Sequence, residues 1–299
     1  MQKKQQYNIN HVWSSLLHTP ECLAKHREFR FRDEIKDIFM RKMGLKVPST
    51  LVEIGCGSGT LAYKLWNWYK DLRIVAFDQD KGFIDYARTH YKGPIYTLDD
   101  AKNLTISDKF DYVLSHTIME YMNEEVFFEC NKKLLKPMGE MIVVSNVKSL
   151  YFDDILMFPH ISDLTKFYLY CQQESNDVII SEVLQRQCTN YADYIDKFKR
   201  SGFEIVRQDY LACETIVHNY PKEKVNKIID MYREIQISKF CTAWHRKEPV
   251  SAEFSYRQIL EQINDYYNKI DGKVLARWPA NVDILRITKA KKVSAHSNV

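Results

Sequence analysis

The residues best suited to chemistry gather in the first half of the chain. Glu53-Ile54-Gly55-Cys56-Gly57-Ser58-Gly59-Thr60 sets an acid two residues ahead of three alternating glycines. Lacking Cβ atoms, such a backbone can turn tightly and approach a nucleotide-like ligand closely. The spacing is G-x-G-x-G, with Thr60 where a dinucleotide site carries its third glycine. Asp78 follows 19 residues beyond Gly59, about the distance at which an acid ending the next strand receives a ribose. A carboxylate accepts both ribose hydroxyl protons, so the residue type suits the task. Cys56 occupies a place in the turn where a small residue is needed. An ordinary strand-to-helix turn is the competing reading, but three of only nine glycines fall within five residues.

Those residues need strands to carry them, and the hydrophobic pattern supplies them. Val52 and Ile54 end a β-branched run, and Leu61, Ala62, Leu65 and Trp66 then take up helical spacing. A second strand at 72–77 ends in Asp78, a helix spans 81–90, and a third strand at 95–98 leads into Asp99-Asp100-Ala101. A fourth at 110–114 delivers Ser115 and His116, Asn123 caps a helix through 135, and a fifth covers 141–145. Strands separated by helices imply right-handed crossovers and a parallel sheet. Ahead of this core, 10–46 reads as helical, with Thr19 as cap and Pro20 in the first turn. Arg27, Arg30 and Arg32 crowd that segment, either as exposed cations or with one reaching a ligand carboxylate.

Composition narrows the class. Forty-five per cent hydrophobic and 27% charged residues are ordinary for a globular protein. A net charge of +4 from 43 basic and 39 acidic residues gives no nucleic-acid footprint. The basic run 289–292 is expected to be a solvated tail. No segment has the apolar length of a membrane span, and seven cysteines without C-x-x-C pairing suggest neither disulfides nor a metal site, and a cytoplasmic setting.

The run E-x-G-x-G-x-G with Asp78 resembles the first motifs of class I S-adenosylmethionine-dependent methyltransferases, of small-molecule type. Further resemblance lies in Asp99-Asp100-Ala101, in the F-D-x-V pattern of Phe110-Asp111-Tyr112-Val113, and in Leu134-Leu135-Lys136-Pro137-Met138-Gly139, where the family carries an L-K-P-G-G turn. It covers roughly 48–146 and resumes at a helix over 191–201, a sixth strand at 202–206 and an antiparallel seventh at 283–288. It implies an α/β three-layer sandwich with a mostly parallel seven-stranded sheet, order 3-2-1-4-5-7-6, and S-adenosyl-L-methionine as cofactor. The implied cofactor-binding set is Glu53, Gly55, Cys56, Gly57, Gly59, Asp78, Gln79, Asp100, Ala101, Ser115 and His116, with Asp100 fitting the adenine-binding acid better than Asp99.

His116 and Tyr121 are the candidate catalytic residues. His116 can act as a general base, orient the acceptor, or give the cofactor only backbone contacts. Tyr121 stands where many small-molecule members carry histidine; a phenol is a poor base at neutral pH, so it would orient a hydroxyl or pack on the sulfonium. Glu120 is read as structural or as a partner for a cationic acceptor. The chain is read as one domain, 1–299: an N-terminal helical cap (1–47), the core (48–146, 190–212 and 280–290), helical cap insertions (147–189 and 213–279) and a flexible tail (291–299). Trp13, Trp244 and Arg277-Trp278-Pro279 are candidates to line the acceptor pocket. The expected function is methyl transfer to an oxygen or nitrogen of a small molecule or short peptide beneath that cap, with no nucleic acid, membrane or metal involved. A helical decoration or a homodimer interface remote from the pocket is the alternative role for the insertions. A protein side-chain methyltransferase and a non-catalytic cofactor-binding module are the competing functions.

Overall fold

The computed structural model describes residues 14, 19–151, 156, 159–173, 191–215, 221–246, 253–270 and 281–293. Seven strands form one sheet in the order β3-β2-β1-β4-β5-β7-β6: β1 (Ser49–Ile54), β2 (Leu72–Asp78), β3 (Ile95–Leu98), β4 (Phe110–His116), β5 (Leu135–Tyr151), β6 (Phe203–Thr215) and β7 (Asn281–Lys292). The first five pair in parallel and β7 runs antiparallel between β5 and β6. The central strands are covered on both faces, and β1 from Leu51 and β5 from Met141 to Ser145 are accordingly buried without a break.

Helices α1 (Pro20–Arg30), α2 (Lys36–Met43), α3 (Thr60–Trp68) and α4 (Lys81–His90) cover one face, where Phe31, Phe39, Met43, Leu65 and Ile84 meet Leu51, Leu114 and Val144. Helices α5 (Glu124–Leu134) and α7 (Tyr191–Arg200) cover the other, with Phe127, Phe128, Tyr194 and Phe198 packed on Val52, Val113 and Val143. Thr19 Oγ1 accepts from Cys22 N at 3.2 Å, Pro20 opens α1, and Gly44 closes α2 at φ +55°. A further helical group, α6 (Ser162–Gln173), α8 (Lys222–Arg246) and α9 (Tyr256–Asn268), has a core of its own built on Phe167, Ile228, Phe240, Ile263 and Tyr267. Cys22 of α1 packs into that core, while Phe31 at the end of α1 packs on the sheet.

Several expected boundaries shift. Strand β5 runs on to Tyr151 and β6 to Thr215, because both find antiparallel partners along β7. Lys289–Lys292 are strand residues, not a solvated tail: Lys289 is buried with Nζ 2.7 Å from Glu140, and Lys292 Nζ donates to the Lys132 carbonyl at 2.7 Å. The Leu135–Gly139 turn is an irregularity inside β5, where pairing moves from Phe110–Leu135 to Tyr112–Glu140. A Cβ on Gly139 would lie 2.9 Å from the Phe110 carbonyl oxygen, which accounts for the glycine, and Met138 points into solvent. The cap of α9 is Ser255, whose hydroxyl accepts from Gln258 N at 3.4 Å. Trp13 and Arg277-Trp278-Pro279 lie outside the described residues.

Helix α1 is tied to β7 by Arg30, which donates to Asp283 Oδ2 from Nε at 3.0 Å and from Nη2 at 2.7 Å. The two side chains are 6% and 7% exposed, so each depends on the other for its charge. Asp283→Ala is therefore expected to cost about 3–5 kcal/mol by leaving an uncompensated buried guanidinium. The double change Arg30→Met/Asp283→Leu should recover most of that loss in urea denaturation.

Candidate active site

The glycine turn leaves β1 with Gly55, Gly57 and Gly59 at φ of +65°, +53° and +80°, values that disfavour any side chain. Space is short as well: a Cβ on Gly59 would sit 2.7 Å from Ala87 Cβ, and one on Gly55 or Gly57 would displace the side-chain ends of Ile118 (Cδ1 at 2.4 Å) or Leu23 (Cδ2 at 2.9 Å). The loop is held from behind by Cys56 N donating to the Phe77 carbonyl at 3.0 Å and by Tyr96 Oη donating to the Gly59 carbonyl at 3.1 Å. Burial pushes the Cys56 thiol well above its ordinary pKa, consistent with a packing role.

Asp78 ends β2 beside this loop. Its Oδ2 accepts from Gly57 N at 2.9 Å and its Oδ1 from Asp80 N at 2.9 Å. Each oxygen retains a lone pair after that single bond, so the carboxylate can still accept a diol. Burial raises its pKa to about 6 against the opposing pull of those two N–H groups. Asp80 caps α4 through Gly82 N and also accepts from Ser14 Oγ at 2.6 Å, which fastens the N-terminal segment beside the loop.

At the tip of β3 the two aspartates divide the work. Asp99 is buried and spends its carboxylate on its own loop, accepting from Asp100 N, Thr105 N, Thr105 Oγ1 and Ile106 N at 2.9–3.1 Å. Asp100 is less committed, with Oδ1 taking Lys102 N at 3.0 Å and Oδ2 taking Asn103 Nδ2 at 3.3 Å. It retains acceptor capacity that Asp99 lacks. Ala101 is buried beside it, and Gln79 follows Asp78 half-buried.

Glu53 is 1% exposed, and among the described residues its Oε2 has no hydrogen-bond partner. Burial lifts its pKa to about 8, Arg27 opposes the rise and Asp78 adds to it. An unsatisfied carboxylate oxygen behind a Cβ-free loop fits a ligand bearing positive charge and a ribose, which is the character of an adenosyl sulfonium compound.

His116, at the end of β4, meets α1. Arg27 Nη1 lies 2.8 Å and Arg30 Nη1 3.4 Å from His116 Nε2, while Arg27 Nη2 donates to Thr117 Oγ1 at 3.0 Å. A guanidinium has no acceptor, so His116 Nε2 must be the acceptor and Nδ1 carries the proton. Burial, then Arg27 and Arg30, hold the imidazole pKa well below its ordinary value. Burial, then Arg30, also press Arg27 down to about 9. Ser115 is buried beside Ile54 with Oγ unpartnered. Tyr121 closes a turn through N donating to the Ile118 carbonyl at 2.9 Å and lies near enough to Arg27 to favour its charge.

The expected loop, Glu53, Asp78, Asp100, Ser115 and His116 thus stand at neighbouring strand tips, since β1 adjoins both β2 and β4 and β3 adjoins β2. Leu23, Arg27, Thr117 and Ile118 were not singled out as a set from the sequence. Only the arginine crowding hinted at them, because their partners lie tens of residues away along the chain. Arg32, from the same cluster, instead donates to the Glu214 carbonyl. Glu120 keeps a buried, unpartnered Oε2.

Residues 51–139 match the family model for the methyltransferase domain. Among curated proteins, the malonyl-[acyl-carrier protein] O-methyltransferase of Hahella chejuensis is 26% identical over 110 residues, 36% of this chain and 39% of that protein. Its counterpart from Acetivibrio thermocellus is 29% identical over 76 residues, 25% of this chain and 27% of the relative. The matches span less than half the length of these relatives. A solved structure of Haemonchus contortus phosphoethanolamine N-methyltransferase 2, holding S-adenosylhomocysteine, aligns at 16% identity over 95% of this chain and 59% of that one, with a TM-score of 0.49.

The histidine geometry has a spectroscopic consequence. In ¹⁵N-resolved NMR, His116 should remain the neutral Nδ1–H tautomer from pH 8 down to pH 5. Arg27→Met, by removing a neighbouring cation that lowers its pKa, should move its titration to higher pH.

Proposed function

We propose that this chain, whose residues 51–139 match the methyltransferase-domain model, is a class I S-adenosylmethionine-dependent methyltransferase that transfers a methyl group to an oxygen or nitrogen of a small acceptor held at the carboxyl ends of β1 and β4. The supporting observation is a single edge of sheet where a Cβ-free loop, the loop-bound Asp78 carboxylate and the unpartnered Glu53 oxygen converge. The bound cofactor supplies an activated methyl on a sulfonium. Within this reading Gly55 and Gly57 give close backbone approach, Asp78 receives the ribose hydroxyls, Asp100 the adenine amino group, and Glu53 balances positive charge. Ser115 and His116 border the transfer path, and Ile118 and Leu23 exclude water from the loop side.

Helix α1, with α6, α8 and α9 behind it, forms the lid over the acceptor, and the chain works as one domain in the cytoplasm. Among the described residues no helix is long and apolar enough to cross a membrane. The Hahella relative's name specifies an acceptor carried on a protein, so a carrier-bound acceptor is the second form of the same reading.

Isothermal titration should show S-adenosylmethionine binding and no NAD binding; NAD binding alone would overturn the assignment. Asp78→Asn should weaken S-adenosylmethionine at least about tenfold, the loss expected for charge-assisted hydrogen bonds. Because the folded pKa of Asp78 is raised to about 6, wild-type affinity should fall between pH 7 and 5 as the acceptor carboxylate takes up a proton. Ligand-free stability should respond oppositely at this residue: the folded state binds that proton more tightly than the unfolded chain, so the penalty of the buried charge disappears as pH falls. Any gain in Tm of Asp78→Asn over wild type should therefore be larger at pH 7 than at pH 5.

A further inference from the structure

Arg27 is a half-buried cation whose hydrogen-bond partners are both neutral, the His116 imidazole and the Thr117 hydroxyl. Among the described residues it forms no ion pair, whereas Arg30 beside it is matched by Asp283. Glu53 and Asp283 favour the charge of Arg27 from farther away, but among the described residues no carboxylate reaches its guanidinium within ion-pair distance. Arg27 uses two of its five N–H donors on those partners, so the planar fork can still offer donors to an oxyanion. Thr117 and Ile118 connect this point directly to the glycine loop, since the Ile118 side chain lies against Gly55. The tips of β1 and β2 carry acids, and α1 brings guanidiniums to the end of β4.

Proton traffic at this spot is constrained as well. His116 Nε2, the lone pair a base would use, already accepts from Arg27 and is approached by Arg30. An alcohol would need that base, and an ammonium would meet two guanidiniums. A carboxylate needs neither deprotonation nor a base, and it can pair directly with the donors that Arg27 keeps.

We propose that the methyl acceptor is a carboxylic acid, held as its carboxylate by the Arg27 guanidinium and esterified on oxygen without a general base. This rests on the methyltransferase reading above. A carboxylate oxygen lone pair forms the new bond to the methyl carbon as the methyl–sulfur bond breaks. The electron pair of that bond returns to sulfur, so the sulfonium becomes a neutral thioether and no proton is released. The products are a methyl ester and S-adenosylhomocysteine. Arg27 fixes the attacking oxygen in line, and the neutral His116 ring fixes Arg27.

The full-length protein is incubated with methyl-tritiated S-adenosylmethionine and a cellular small-molecule extract, and the products are then treated with mild alkali. Methyl esters release volatile tritiated methanol, whereas methyl ethers and methylamines keep their label. Alkali-labile label is the expected result. Cofactor binding with only alkali-stable label, or with none, overturns the carboxylate assignment and leaves the methyltransferase reading standing; absence of cofactor binding in calorimetry overturns both. Arg27→Met should fold with a Tm near wild type and bind S-adenosylhomocysteine with little change. It should yield about tenfold less ester or lower, the loss expected for a charged hydrogen bond, and Arg27→Lys should restore part of it. If Arg27→Met instead loses S-adenosylhomocysteine affinity, the carboxylate that Arg27 holds is the cofactor's own, and the acceptor assignment falls.

Discussion

Keeping charge out of water without leaving it unanswered is the constraint on which this sheet edge depends. Glu53, Asp78, Arg27, Arg30 and Asp283 gather where strands end, and burial alone would make each of them costly. Arg30 and Asp283 answer one another, and Asp78 is answered by the backbone N–H groups of Gly57 and Asp80. Glu53 and Arg27 are answered only in part, which shows as an acid pushed up and a guanidinium pushed down. Incomplete internal satisfaction of this kind is characteristic of places that meet a ligand rather than of places that only hold a fold together.

Helix α1 is the joint between two hydrophobic cores. One side sends Cys22 among α6, α8 and α9, and the other sends Arg27, Arg30 and the adjoining Phe31 to the sheet. The Phe31 ring meets the His116 ring edge-on at 4.9 Å, so apolar packing and the polar contacts of His116 fix the same geometry. Disturbing α1 therefore reaches both the helical layer and the strand tip.

Much of the core was legible in the sequence because its signals are local. The glycine turn, the strand ending in Asp78 and Asn123 as a cap all depend on residues within a few positions of one another. What escaped was decided across the sheet. Lys289 reads as a tail cation until Glu140 is seen beside it on the neighbouring strand. The Leu135–Gly139 run reads as a turn until the carbonyl of Phe110 is found pressed against Gly139. In the site, the resemblance already favoured Asp100 over Asp99 without the physical reason, that the loop itself consumes Asp99, and the role of Arg27 required knowing that His116 faces it. Sequence reasoning found the residue types that chemistry needs and missed the pairings that restrict what each can do.

The placement of β7 between β5 and β6 bears on how the chain is made. A ribosome delivers β5 first, then β6, and only after α8 and α9 the strand that joins them. Until then both earlier strands present bare edges, and the α8–α9 pair must fold or wait while they do. Assembly of this side of the sheet is thus a late, long-distance event, and a nascent chain stalled before β7 would be the species most exposed to strand-mediated aggregation.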